Sequence, residues 1–162
     1  MNRREFLAGA AVGVFALALP NELLAGSERK SYMGEKIVKS NAEWKDLLTP
    51  EQFAVLRREA TERSFSSALN KEYGDGQYVC AACALPLFES SAKFDSGTGW
   101  PSFYQPIKGS TESKRDFKMI LPRTEYHCAR CGGHQGHVFN DGPEPTGERW
   151  CNNGVALQFI AA

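Results

Sequence analysis

The pattern Tyr78-Val79-Cys80-Ala81-Ala82-Cys83 recurs as Glu125-Tyr126-His127-Cys128-Ala129-Arg130-Cys131, in each case a strand-like run that turns through Cys-x-x-Cys. A strand, a tight turn and small residues, such as Ala81 and Ala82 in the first copy and Gly132-Gly133 after the second, let two thiolates face one metal. Two such pairs complete a tetrahedral zinc site. Four thiolates leave no open position, so a zinc held there is structural rather than catalytic. The same spacing also admits two disulfides or a redox-active Cys-x-x-Cys. Outward from these knuckles, short runs such as Leu87-Phe88, Lys118-Met119-Ile120-Leu121 and Val155-Ala156-Leu157-Gln158-Phe159-Ile160 alternate with Gly, Pro, Asp and Ser clusters. Short antiparallel strands joined by turns have this texture, and no long helical period follows residue 70. The expected fold is mainly β over residues 70–162, with a small helical part before it.

That helical part carries two start signals. Asn41-Ala42-Glu43-Trp44 begins with a capping residue, and Trp44, Leu47 and Leu48 share a helical face. Thr49-Pro50-Glu51-Gln52 is a second start, with Thr49 as cap, Pro50 at the first helical position and Gln52 completing a capping box, the helix running to about Ala60. Both helices read as an outer cover without chemistry.

The chain of 162 residues is the size of one domain, and its 19 Lys+Arg balance 19 Asp+Glu. Neutrality argues against a nucleic-acid partner, which would show as a basic excess. Residues 1–25 stand apart from the fold. Asn2-Arg3-Arg4-Glu5-Phe6-Leu7 precedes an apolar run over residues 7–19, too short for a membrane span and suited to a signal-peptide core. It resembles a twin-arginine export signal, with Ala25 as the expected cleavage point. Residues 26–40 then read as a polar tether and residues 41–162 as one domain. The expected location is the periplasm, with membrane attachment only if the signal stays uncleaved. Zinc would protect the paired cysteines from oxidation there.

Cys151 is the odd thiol of five. A lone Cys is most often a small buried packing residue. Here Arg149 and Asn153 fall on the same face of an extended Arg149-Trp150-Cys151-Asn152-Asn153 segment, and a neighbouring cation favours thiolate. Gly97-Thr98-Gly99-Trp100-Pro101-Ser102-Phe103 reads either as a packed turn or as a loop whose indole walls a site for an apolar thioether or methyl group. His134-Gln135-Gly136-His137-Val138-Phe139 brings two imidazoles three positions apart, suited to moving protons near neutral pH beside a thiol. His127, next to Cys128, has no chemical role in this reading, and the turn-rich 141–147 segment positions the last strands.

In this order, Cys-x-x-Cys, Gly-Thr-Gly-Trp-Pro-Ser-Phe, Cys-x-x-Cys, His-x-Gly-His-Val-Phe and Arg-Trp-Cys-x-Asn resemble the B class of peptide methionine sulfoxide reductases, over residues 41–160. The resemblance implies two antiparallel sheets with short N-terminal helices and one structural zinc on Cys80, Cys83, Cys128 and Cys131. It also implies reduction of the R epimer of methionine sulfoxide in peptides and proteins. Cys151 matches the nucleophile, Trp100 and Phe139 the substrate wall, and His134 and His137 the pair that protonates the sulfoxide oxygen. Asn153 matches an ordering residue and Arg149 the cation beside the thiolate. Attack on the sulfoxide sulfur would leave Cys151 as a sulfenic acid. Many relatives carry a resolving Cys where this chain has Thr98, which implies a one-Cys enzyme served by a thioredoxin-like reductant, acting as a monomer. The family also prefers an aliphatic residue and a Ser where Asn152 and Gly154 stand. Two rivals remain at this point: a zinc-stabilised binding module with Cys151 merely buried, and a thiol–disulfide oxidoreductase working through one metal-free Cys-x-x-Cys.

Overall fold

Two capping boxes start the two α-helices found among the described residues. The structure, a computed structural model, describes residues 34–118 and 121–162. The export signal expected over residues 1–25 and most of the expected tether lie outside them. Helix α1 spans Asn41–Leu47, and its cap is Ser40, one residue earlier than the sequence suggests. The reason is reciprocal bonding. The Ser40 hydroxyl accepts from the Glu43 N–H while the Glu43 carboxylate accepts from the Ser40 N–H, a spacing that Asn41 cannot offer. Helix α2, Pro50–Arg58, starts as expected, with Thr49 and Gln52 forming its box. Glu59 closes it in the left-handed region at φ 54°. Trp44, Val55 and Leu56 are buried, so the helices form part of the core rather than an outer cover.

Among the described residues nine strands follow, in two antiparallel sheets. β1 (Gly76–Cys80), β2 (Pro86–Glu89) and β9 (Leu157–Ala161) form a three-stranded sheet in the order β2-β1-β9. β3 (Lys93–Phe94), β4 (Ser102–Phe103), β5 (Thr111–Asp116), β6 (Arg123–Cys128), β7 (His134–Phe139) and β8 (Arg149–Asn152) form a six-stranded sheet in the order β3-β4-β8-β7-β6-β5. Side chains alternate between faces along a strand, so each sheet offers one face to the other. Tyr78 and Phe88 from the small sheet meet Phe103 and Tyr126 from the large one, with Phe88 stacked on Phe103 at 4.1 Å between ring centroids and Trp150 packed edge-on against Tyr126. Offset aromatic pairs of this kind add to the area they bury.

Of the run expected as a strand over residues 118–121, Lys118 and Leu121 lie in bends. The Asp116 carboxylate accepts the Lys118 N–H at 2.9 Å, which turns the chain out of β5 toward β6. Met119 and Ile120 lie outside the described residues, and Leu121 is exposed. The end of the expected tether is pinned rather than free: the Ile37 N–H donates to the Arg130 carbonyl at 2.8 Å, and Lys36 pairs with Glu112.

Candidate active site and metal centre

Strand order decides what surrounds Cys151. β8 runs between β4 and β7, and Cys151 stands opposite Ser102 on one side and opposite His137 on the other. Directly opposed residues in an antiparallel pair have Cβ atoms about 5 Å apart, so Ser102 and His137 flank Cys151. Gly136 allows β7 this close, since a Cβ there would stand 1.9 Å from the Cys151 carbonyl oxygen. Trp150 and Asn152 turn to the core, while Arg149 and Cys151 share the other face. Cys151 opens into a cleft of about 170 Å³ whose walls include Trp100, Arg123, His137 and Phe139. A cleft of this size takes the tip of one side chain rather than a cofactor. A larger groove of about 510 Å³, between α2 and Gly154-Val155, contains no Cys or His.

Each wall of the cleft is fixed from behind. Gly99 sits at φ +88°, and a Cβ there would lie 2.7 Å from the Phe65 ring, so glycine is required for the turn that presents Trp100. The indole Nε1–H donates to the Glu62 carbonyl, and the Glu62 carboxylate accepts the N–H groups of Gly154 and Val155. Asn153 is buried and fully engaged: its Oδ1 accepts the Glu62 N–H and its Nδ2 donates to the Gln135 carbonyl. It orders the Trp100 wall through Glu62. Arg149 is held by Asp141 at 2.8 and 3.0 Å and lies over the Phe139 ring at 4.2 Å.

Arg149 was expected to lower the Cys151 thiol pKa, and it does pull in that direction. Burial acts more strongly and raises the thiol above its ordinary value, with Arg149 and the hydroxyls of Thr98 and Ser102 opposing it. Thr98 lies within hydrogen-bond reach of Cys151, and Ser96 links Thr98 to Ser102 at 2.8 Å each.

Both histidines have carboxylate partners that sequence reading missed. His137 Nε2 is 2.8 Å from Asp116 Oδ2. Asp116 is held well below the usual carboxylate range, first by the Lys118 backbone N–H and then by His137 and Arg123, so it is anionic at neutral pH. Burial lowers the His137 pKa despite Asp116, leaving a neutral imidazole whose Nε2–H donates to Asp116. His134 Nδ1 lies 2.7 Å from Glu125, a carboxylate only 2% exposed. Burial pushes Glu125 up, but hydrogen bonds and charges from His127 and His134 outweigh it and bring the pKa down to about 2. His127 therefore has a place in the site after all, sharing Glu125 at 3.1 Å. His134 Nε2 is buried without a partner, and its ring stands 5.5 Å from that of His137. No local motif marks Asp116 or Glu125, which reach the imidazoles only through the β5-β6-β7 pairing.

Cys80 ends β1 and Cys128 ends β6, so each sheet contributes one knuckle. The four sulfurs lie within 4.8 Å of one another. The shortest separations cross between the knuckles, Cys80–Cys131 at 3.7 Å and Cys83–Cys128 at 3.5 Å. A tetrahedral ion with sulfur at about 2.3 Å needs sulfurs about 3.8 Å apart, so the four fit a metal. Disulfides, at about 2.05 Å, do not fit these separations. With all four gathered on one centre, neither Cys-x-x-Cys stands free as a redox pair.

A thiol beside an imidazole–carboxylate pair defines a thiol-chemistry site on a β scaffold whose two sheets meet at a cysteine cluster able to hold a metal. The SelR domain profile matches residues 48–161. Similar proteins include the peptide methionine sulfoxide reductase MsrB of Leptospira interrogans, 52% identical over 128 residues that cover 78% of this chain and 98% of that protein. The protein of the same name from Methanosarcina mazei is 53% identical over 76% of this chain and 89% of its own. The chloroplastic peptide methionine sulfoxide reductase B1 of Arabidopsis thaliana is 51% identical over 75% of this chain and 61% of its own. The chain belongs to the SelR (MsrB) family.

Proposed function

We propose that this chain reduces the R epimer of methionine sulfoxide in peptides and proteins, with Cys151 as the nucleophile. The observation that carries this reading is His137, its Nε2 paired with Asp116, directly opposite Cys151 in the β7–β8 ladder, at a cleft walled by Trp100 and Phe139. With Nε2–H given to Asp116, Nδ1 of His137 is the nitrogen left to accept the Cys151 proton. The thiolate attacks the sulfoxide sulfur. The sulfoxide oxygen takes the proton from His137 as the Cys151 sulfur bonds to the substrate sulfur. That hydroxyl then moves onto Cys151 Sγ while the substrate's sulfur–oxygen bond and the new sulfur–sulfur bond break, and methionine leaves. The oxygen remains on Cys151 as a sulfenic acid. His134, its Nδ1–H directed to Glu125, can donate from its unpartnered Nε2 to the same oxygen when the ring is protonated on both nitrogens. Trp100 and Phe139 receive the methyl and thioether carbons.

Asp116→Asn tests the imidazole's role. The amide can donate to Nε2 and so stabilise the wrong tautomer, leaving Nδ1 protonated and unable to accept. The expected result is a loss of about 10²-fold in kcat with little change in KM, less than the roughly 10⁴-fold known for a catalytic-triad carboxamide. Equal kcat in wild type and variant across pH 6–9 would remove His137 as proton carrier.

Thr98 cannot form a disulfide, and the other four thiols serve the metal, which we read as zinc whose closed sulfur coordination supplies structure. An external dithiol, of the thioredoxin-like class, then attacks the sulfenic acid with one thiol, expelling water and forming a mixed disulfide with Cys151. Its second thiol displaces Cys151 and closes the reductant's own disulfide. One turnover without reductant should yield one equivalent of sulfenic acid per chain and no internal disulfide, read by mass spectrometry after dimedone trapping. The N-terminal twin-arginine pattern supports export to the periplasm and repair of oxidised proteins there. The deciding experiment offers each epimer of a methionine sulfoxide peptide to the zinc-loaded protein with dithiothreitol. Turnover of the R epimer alone is expected. Turnover of neither epimer by protein that holds its zinc would return the binding-module reading.

A further inference from the structure

The core side of β8 carries an arrangement that the reaction above leaves unused. Asn152, where the family prefers an aliphatic residue, is 1% exposed and faces Gln135, which is 0% exposed. Burying two primary amides costs several kcal/mol unless each is hydrogen-bonded, and here each one is. The Tyr126 hydroxyl donates to Asn152 Oδ1 at 2.6 Å. Asn152 Nδ2 donates to Gln135 Oε1 at 3.4 Å and to the Asn153 carbonyl at 2.8 Å. Gln135 Nε2 donates to Cys80 Sγ and to the Gly133 carbonyl, each at 3.5 Å.

Every donor in this chain points the same way. It begins at a phenol bonded to Asn152, the residue next to Cys151, and ends on a sulfur of the cysteine cluster. Hydrogen bonds aligned head to tail in a dry interior polarise one another, and a donor on a thiolate draws off part of its charge. Gln135 also grips the backbone next to the reacting residue, since its carbonyl accepts both the Asn153 N–H and Asn153 Nδ2, each at 2.8 Å.

We propose that Tyr126, Asn152 and Gln135 form a directional hydrogen-bond relay between the Cys151 strand and the Cys80 sulfur, making Asn152 and Gln135 positioning residues for the reaction and ligand-supporting residues for the metal. The relay rests on reading the four cysteines as a metal site and Cys151 as the reacting thiol. It makes the two sites sensitive to each other, because Asn152 holds the Gln135 amide in the orientation that reaches Cys80.

The test is zinc release from the loaded full chain to a chromophoric chelator. Outer hydrogen-bond partners of metal ligands typically change affinity 10- to 100-fold. Gln135→Leu and Asn152→Leu should each release zinc about tenfold faster than wild type, although Asn152 touches no ligand. Because Asn152 acts through Gln135, the double variant should be no faster than Gln135→Leu alone. Alkylation of Cys151 with iodoacetamide should change zinc release in wild type and leave it unchanged in the double variant, as reciprocal coupling requires. Tyr126→Phe, which removes one oxygen without opening a cavity, should release zinc a few-fold faster and keeps the test readable if the leucine variants fail to fold. Wild-type rates in Asn152→Leu or Tyr126→Phe, or single effects that multiply in the double variant, overturn the relay alone. Wild-type protein that holds no zinc overturns the metal reading and the relay with it, while the role of Cys151 is judged separately by its own serine variant.

Discussion

Replacing Cys151 with Ser should remove at least about 10³-fold of the peptide methionine sulfoxide reductase activity while leaving metal content and thermal stability close to wild type. The size follows from the chemistry. A hydroxyl is far less acidic than a thiol and a much poorer nucleophile, and enzymes that lose their nucleophile keep only what binding and fixed dipoles supply. Stability should hold because Cys151 is only half-buried at the cleft, and Ser102 and Thr98 offer hydroxyl partners to a serine. Wild-type activity should climb as pH rises above neutrality, since burial holds the thiol above its ordinary pKa and only the thiolate attacks. The measurement is initial rate with dithiothreitol, alongside zinc content and thermal unfolding. A serine variant retaining a tenth of wild-type turnover, with zinc intact, would mean that another group does the chemistry.

Breaking the cysteine cluster should unfold the protein rather than slow it. Cys80 and Cys128 are fully buried at the ends of β1 and β6, so the cluster fastens the small sheet to the large one. Closing the chain between Cys80 and Cys131 contributes about 4 kcal/mol through lost freedom of the unfolded chain, before any gain from coordination itself. Apparent binding energies of four-ligand zinc sites reach about 10 kcal/mol, comparable with the whole stability of a domain this size. Cys128→Ser, or stripping the metal with a strong chelator, should lower Tm by at least about 10 °C and abolish activity with it. Calorimetry and near-ultraviolet circular dichroism give the readout. A chelated protein with an unchanged Tm would show that hydrophobic contact between the sheets suffices without the staple.

Much of the fold was legible because its signals are local. The Thr49 capping box, the turns around each Cys-x-x-Cys and the short runs between Gly and Pro depend on neighbours a few residues apart. The Ser40 cap was legible in principle, since Ser-x-x-Glu was there to be read, but the adjacent Asn41 competed with it. Lys118 opens a run of strand composition, yet the Asp116 side chain captures its N–H, and composition does not report such a bond.

The site divides along the same line. Sequence alone determined which atoms are available: five thiols, two of the histidines three positions apart, a tryptophan after Gly-Thr-Gly, and an arginine two positions before the odd cysteine. It also determined that four thiols suit a closed metal site, because that follows from sulfur chemistry and short spacing. Only the tertiary structure decided that β8 lies between β4 and β7, which sets His137 opposite Cys151. It alone brought Asp116 to His137 and Glu125 to His134, and gave Asn152 its buried partners. The sign of the Cys151 shift was settled there too, because the desolvation that outweighs Arg149 is a sum over everything packed around the thiol. Strand order and burial are set by contacts between residues far apart in the chain, and no spacing within a single segment encodes them.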